Sequence, residues 1–221
     1  SIMMKRFILL FVLLSAVSFA SFAQSSSEGK FTLSAEFGAG HLLGNSNLSP
    51  YGVSYRDAYD KAFSSNVEVF WLLDELWQVG LKYNFFTASE NYEVDGVGML
   101  AENVNLNYIA PQVGLRRMIT PRLCMEYTIG AGYMHYRAEG FADDKEQPTY
   151  STGFLGANMD LGFSYRLYKG FYMGAGASLI GGNSSSLDVD DDGVEGTVDL
   201  SKWNKIRVLR ADFHLSFKAV F

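Results

Sequence analysis

The sequence has a single cysteine, Cys124, in 221 residues. One thiol closes no internal disulfide and completes no cysteine-ligated zinc site, which excludes a stapled mini-domain and a cysteine-ligated metal fold. Charge is sparse as well, with 19% charged residues and a net charge of -6. That acidic balance, with a pI near 5.1, removes nucleic acid from the expected partners. Long hydrophobic runs are scarce too: only Phe7 to Leu14 is uninterrupted, well short of the roughly 20 residues that carry a helix across a bilayer. What is present is aromatic and apolar, at 15% and 48% of residues, which excludes disorder. The mean hydropathy of +0.02 excludes a bundle of membrane-spanning helices. It leaves a barrel open, because a barrel strand shows lipid only at every second residue.

Lys5 and Arg6 precede the apolar run, which softens into Ser18-Phe19-Ala20-Ser21-Phe22-Ala23. A charged start, a short apolar stretch and a small-x-small site mark an export signal cut after Ala23. Residues 1–23 are therefore expected to be a signal peptide and residues 24–221 a single exported domain. The cut removes Lys5 and Arg6 and leaves that domain more acidic than the whole chain. No cysteine follows it, so no lipid anchor is expected.

Beyond Ala23 the hydrophobic period is 2 rather than 3.6. At the C-terminus Leu209, Ala211, Phe213, Leu215, Phe217, Ala219 and Phe221 share one face, opposite Arg210, Asp212, His214, Ser216 and Lys218. Residues 153–167 repeat the pattern, and six more segments follow it, around Phe31–Ala39, Val67–Leu73, Trp77–Phe85, Val104–Leu115, Leu123–Tyr133 and Phe171–Leu179. In the fourth of these, Val104, Leu106, Tyr108 and Ala110 form the apolar face up to Pro111. There a bulge is expected to change the parity, because proline donates nothing to a strand ladder. Short links near residues 73–76, 120–122 and 168–170 alternate with long ones at about 43–63, 88–103, 137–151 and 181–205. Aromatic residues gather toward segment ends, with Trp71, Trp77, Tyr127 and Tyr165 near the short links and Tyr83, Phe85 and Tyr133 near the long ones. The expected fold is all-β: an eight-stranded antiparallel up-and-down transmembrane barrel with short periplasmic turns and four long extracellular loops. A soluble ligand-binding barrel with the apolar face inward is the alternative.

The last strand, Arg210 to Phe221, ends on an aromatic with Phe213, Leu215 and Phe217 at alternate positions. It resembles the C-terminal assembly signal of Gram-negative outer-membrane barrels. With the leader and eight strands, the chain resembles the small OmpX-like and OmpA-barrel-like outer-membrane proteins. The resemblance implies residence in the outer membrane, insertion by the barrel assembly machinery, contact with outer-membrane lipid and lipopolysaccharide, and a monomer. It implies little about activity.

Parity places Glu36, Glu68, Glu126, Asp160 and Asp212 in the lumen with Lys82, Arg116, Arg166, Arg210 and Lys218, and His214 beside them. An eight-stranded barrel is just wide enough for its side chains to fill, so a closed network of ion pairs is expected. A gated ion path is the alternative. His214 and Ser216 form an H-x-S pair that resembles the lipid A deacylase barrels, but both take the lumen parity and Phe217 replaces the asparagine of that motif. No catalytic residue is assigned and no enzyme is expected.

The long loops are acidic and tyrosine-rich, with Tyr51, Tyr55, Tyr59, Arg56, Asp57, Asp60 and Lys61 in the first and Glu90, Tyr92, Glu93 and Asp95 in the second. That mixture suits contact with an extracellular protein or glycan. The sharpest local motif is Asp188-Val189-Asp190-Asp191-Asp192-Gly193 with Asp199 at the twelfth position. Asp188, Asp190, Asp192 and Asp199 match a calcium-loop spacing, and a weak Ca²⁺ site is expected, in the extracellular range of about 10⁻⁴ to 10⁻³ M. No other cofactor is expected.

Overall fold

The computed structural model describes residues 30–43, 62–94, 98–142, 145–146, 148–191, 193–200 and 206–221. The signal peptide and the first long loop, with its tyrosines 51, 55 and 59, lie outside them, as do Asp95 and Asp192. Eleven strands follow one another: β1 (Phe31–Leu42), β2 (Ala62–Leu72), β3 (Trp77–Val94), β4 (Gly98–Met118), β5 (Leu123–Ala142), β6 (Lys145–Glu146), β7 (Thr149–Tyr168), β8 (Phe171–Ser184), β9 (Ser186–Asp191), β10 (Val194–Asp199) and β11 (Ile206–Val220). Eight of them form an antiparallel ring. Neighbours in sequence pair from β1 to β5, β5 pairs with β7, β7 with β8, β8 with β11, and β11 closes on β1.

Closure uses the last residues of the chain. Phe31 and Phe221 exchange backbone hydrogen bonds of 3.2 and 2.8 Å, and the register runs unbroken from Thr32 opposite Val220 to Leu42 opposite Arg210. Phe213, Leu215 and Phe217 point away from the barrel and are exposed, while Phe221 is half-buried at the seam. At the short-turn end the Asp74 carboxylate accepts from the backbone N–H groups of Leu76 (2.7 Å) and Trp77 (2.6 Å). Those two donors, that of Trp77 foremost, hold its carboxyl below the usual carboxylate range.

The exterior splits into two bands. Near the short turns it is apolar: Val67, Val69, Trp71, Trp77, Val79, Leu81, Ile129, Met159, Leu161 and Phe163 are all exposed. An apolar belt of this kind on a closed barrel is a lipid contact. Phe31 packs on Trp71 with ring centroids 5.4 Å apart, and Tyr127 and Tyr165 join them at the lower rim, while Tyr83 and Tyr133 stand at the upper one. Above Tyr83 and Tyr133 the exterior of β3 to β5 turns mostly polar, while Phe63, Phe141, Leu209 and Phe213 stay exposed at that height. Thr87 and Ser89 on β3, Asn103, Asn105 and Asn107 on β4, and Arg137 and Glu139 on β5 point outward, and Tyr83 marks the border by donating to Asn107 Oδ1 at 2.6 Å.

The interior inverts at the same level. Below it the inward residues are mostly polar, with Phe70 and Tyr172 the large exceptions. Above it Leu42, Phe86, Ala88, Val104, Leu106, Tyr108, Met134, Tyr136, Phe154, Ile180, Ile206 and Val208 form a buried apolar cluster. Burying each large side chain here contributes about 1.5–3 kcal/mol. Along β3 to β5 the strands thus rise beyond the lipid with a mainly oily inside and a wetter outside, and Glu102, Thr152 and Ser184 are the buried polar residues among the oily ones. This corrects the expectation for β4. Val104, Leu106, Tyr108 and Ala110 face inward, not toward lipid. Pro111 introduces no bulge: the ladder to β5 skips Ala110 and Pro111 and resumes at Gln112–Gly130 in the register it held at Ile109–Tyr133. Proline costs a ladder bond here and leaves parity alone, because its other neighbour still pairs through Leu81.

Candidate functional site

The lower interior carries the charged residues that alternation places inward. Lys82 on β3 is fully buried and bridges two strands, with its ammonium 3.2 Å from Glu68 on β2 and 2.7 Å from Asp160 across the barrel on β7. Lys218 on β11 reaches across to Glu126 on β5. Arg210, also fully buried, lies 2.7 Å from Asp212, donates to Asn84 on the opposite side, and stacks 4.3 Å above the Phe86 ring. That stack is the boundary between the polar and apolar storeys.

Neutral polar groups extend two of these clusters. Asn84 Nδ2 donates to Asn66 Oδ1 (2.7 Å) and Ser64 Oγ (3.0 Å), and Asn66 Nδ2 donates to Glu36 Oε2 (2.7 Å). Tyr108 donates to Asn158 at 2.8 Å. Asn158 in turn donates to Gln112 at 2.8 Å and to Asp160. A cavity of about 30 Å³ remains beside Gly162 and Gly176, lined by Gln78, Glu126, Ser164 and His214 among others. That is room for a water or two.

The expected set of five acids and five bases is brought together only in part. Those that pair, with His214, fall into three clusters: Glu68–Lys82–Asp160, Glu126–Lys218, and Glu36–His214–Asp212–Arg210. Among the described residues Arg116 pairs with no acid; its Nε lies 3.4 Å from Cys124 Sγ and its guanidinium 5.8 Å from the Tyr172 ring centroid. Arg166 sits half-buried opposite Tyr172 at the short-turn end. Both keep the inward parity but lie where the lumen meets solvent, so burial does not force them to find a counter-charge. Ser64, Asn66, Asn84, Gln112 and Asn158 are members that charge counting passes over, although their inward parity was readable.

His214 bonds Ser64 rather than Ser216, with Nε2 3.2 Å from Ser64 Oγ, and its Nδ1 lies 3.8 Å from Glu36. The Ser64 hydroxyl donates to Asp212 Oδ2 at 2.7 Å. Its proton is directed at a carboxylate, and His214 is placed to donate to its oxygen, not to receive its proton.

In the acidic segment from Asp188 to Asp199 the described residues are paired strands, and Asp192, one of the four expected calcium ligands, lies outside them. The strands form the β9–β10 hairpin, with Asp188 opposite Thr197 and Asp190 opposite Glu195. Gly193 takes a φ of 84°, as a tight hairpin turn requires. Asp188 accepts from Thr197 Oγ1 at 2.8 Å and Asp190 from the Gly193 N–H at 3.0 Å. Extended pairing spreads the acids along a ribbon, and among the described residues no three acids, histidines or cysteines converge as a metal site would require.

No family model matches the chain, and no curated protein matches it. Solved structures do. A major outer-membrane protein of Thermus thermophilus aligns with a TM-score of 0.54 at 13% identity, covering 85% of this chain and 99% of that one. Neisserial surface protein A aligns with a TM-score of 0.51 at 11% identity, covering 87% and 97%. With a lipid-facing apolar belt around a closed antiparallel ring, the chain has the fold of the small eight-stranded outer-membrane β-barrels.

Proposed function

We propose that the protein is an integral outer-membrane barrel closed to solutes, non-catalytic, and active through its long-loop end in envelope structure or surface contact. The supporting observation is the apolar storey. Phe86, Leu106, Met134 and Ile180 fill the lumen above the ion pairs with no exposed surface, so an ion passing the lower network meets an oily layer. A charge crossing such a layer loses its hydration with nothing to replace it. Planar-bilayer recording of the purified protein tests closure: the bilayer is expected to stay at baseline, and a sustained ohmic conductance overturns the reading. Mass analysis of lipid A from cells with and without the protein tests the non-catalytic half. An unchanged acylation pattern supports it, and a loss of acyl chains that His214→Ala abolishes overturns it.

The contact role draws on the acidic, tyrosine-rich loops, whose composition suits adaptable polar recognition of a protein or glycan. The surrounding partners of this reading are outer-membrane lipid and lipopolysaccharide, with the barrel assembly machinery acting during insertion.

A further inference from the structure

The β9–β10 hairpin does more than cap the barrel. β9 pairs with the upper end of β7, Ser151 opposite Asp188 and Thr149 opposite Asp190, so the wall strands β5 and β7 continue into a four-stranded sheet that ends at β10. Among the described residues no strand pairs with the outer edge of β10, and all six of its residues are exposed. Asp191 and Val194 flank a two-residue turn, and residues flanking such a turn exchange their backbone bonds. Val194, Gly196 and Val198 therefore spend their N–H and C=O groups on β9. Glu195, Thr197 and Asp199 turn theirs outward, along the free edge.

The two faces of this edge differ. One carries Glu195, Thr197 and Asp199 beside Asp188 and Asp190, and borders an open groove of about 720 Å³ whose other wall is His135, Arg137, Thr149 and Ser151. Arg137 is already paired with Glu139 at 2.6 Å, which leaves the groove's carboxylates in excess. The other face carries Val194 and Val198, 74% and 51% exposed. A second copy of this edge is a poor occupant, because antiparallel pairing about Thr197 sets Glu195 against Asp199, and like charges opposite one another destabilise a ladder.

We propose that the edge and groove together bind an extended polycationic peptide strand in which basic and aliphatic residues alternate. The peptide backbone bonds Glu195, Thr197 and Asp199, its basic side chains lie over the acidic groove, and its aliphatic side chains cover Val194 and Val198. Added strands gain affinity from the main chain and specificity from alternate side chains. The proposal rests on the reading that the long-loop end faces outward from the cell.

Fluorescence polarisation with labelled synthetic peptides on the folded barrel in detergent tests it. An alternating Lys/Val peptide is expected to bind at least tenfold tighter than a peptide of the same composition with its lysines grouped, and an alternating Glu/Val peptide is expected not to bind. Asp188→Lys/Glu195→Lys is expected to weaken binding at least tenfold. Thr197→Pro removes one outward N–H; because it can also disturb the hairpin, the same Lys/Val peptide N-methylated on its edge-facing amides provides a second measurement on the unaltered protein, with the same loss expected. Equal affinity for the grouped peptide, unchanged affinity after N-methylation, or no binding by the alternating peptide each overturns the proposal. Maleimide labelling of Val198→Cys on intact cells reports separately on the outward reading, since the native Cys124 is buried. Labelled cells with no peptide binding leave that reading standing and sink only the strand.

Discussion

Lys82 shows how much a single buried charge carries here. Its ammonium is wholly enclosed and serves Glu68 and Asp160 together. Lys82→Met would leave two carboxylates in the interior without their shared counter-charge. Breaking a buried pair in this way costs about 3–5 kcal/mol. The expected result is a clear fall in the urea midpoint of the refolded protein in vesicles, with most of the loss restored when Glu68→Gln and Asp160→Asn are added. A single variant as stable as the parent would mean that the network fills space without bracing the wall. Asp74, outside the lipid, makes a gentler case. Its carboxyl is depressed by the Trp77 and Leu76 N–H groups, so the stabilisation it adds is present above the unfolded carboxylate value of about 3.9 and is lost as pH falls through its lower folded value. Asp74→Ala is expected to lower the thermal midpoint slightly at pH 7 and by less at pH 3; an equal deficit at both would assign the effect to turn geometry alone.

Strand β4 is the element where alternation and outcome part. Period 2 separates two faces but does not say which one turns inward. Along β11 the ambiguity resolves itself, since Arg210, Asp212, His214 and Lys218 cannot face lipid while Phe213, Leu215 and Phe217 can. Along β4 the opposing row is Asn103, Asn105 and Asn107, uncharged and silent on the question, so taking every apolar face as lipid-facing failed above Ile109. The lower ion pairs were legible because charge forces parity. The amide and hydroxyl bridges of Ser64, Asn66, Asn84 and Asn158 were less so, because their partners come from strands far away in sequence. The same inversion carries a test. Leu106→Ala is expected to cost about 2–5 kcal/mol as a core truncation, whereas Asn105→Ala on the outward face of β4 should fall within about 0.5 kcal/mol of the parent. Comparable losses at the two positions in vesicle unfolding would contradict the inward assignment. Gly38 in β1 is a second element-level constraint: a Cβ there would clash with the Phe213 carbonyl oxygen, so Gly38→Ala should impair closure of β1 on β11. The readout is loss of the heat-modifiable, fast-migrating band on a semi-native gel.

At the level of the whole molecule the lumen holds two seals in series, a charged one and an oily one, and the Arg210–Phe86 stack joins them. Either alone is expected to keep the barrel closed. Neither Phe86→Ala/Leu106→Ala nor Lys82→Met should raise bilayer conductance by itself, while their combination, where it still folds, should admit a small current. A current from Phe86→Ala/Leu106→Ala alone would show that the ion pairs do not seal.

The inversion at the level of Tyr83 and Tyr133 also bears on how the strands find their partners. In a barrel with one storey, a strand slipped by one residue flips a single set of side chains. Here a slip in one direction is punished twice. Moving β3 by one residue would turn Lys82 and Asn84 into the hydrocarbon and, two residues higher, exchange Phe86 for Thr87 inside the oily cluster. The opposite slip puts Phe85 in place of Phe86 above but still drives Lys82 into hydrocarbon below. Strand β3 thus behaves like a key cut for a two-wafer lock, in which a slip toward Thr87 fails at both levels and a slip toward Phe85 still fails at the lower one.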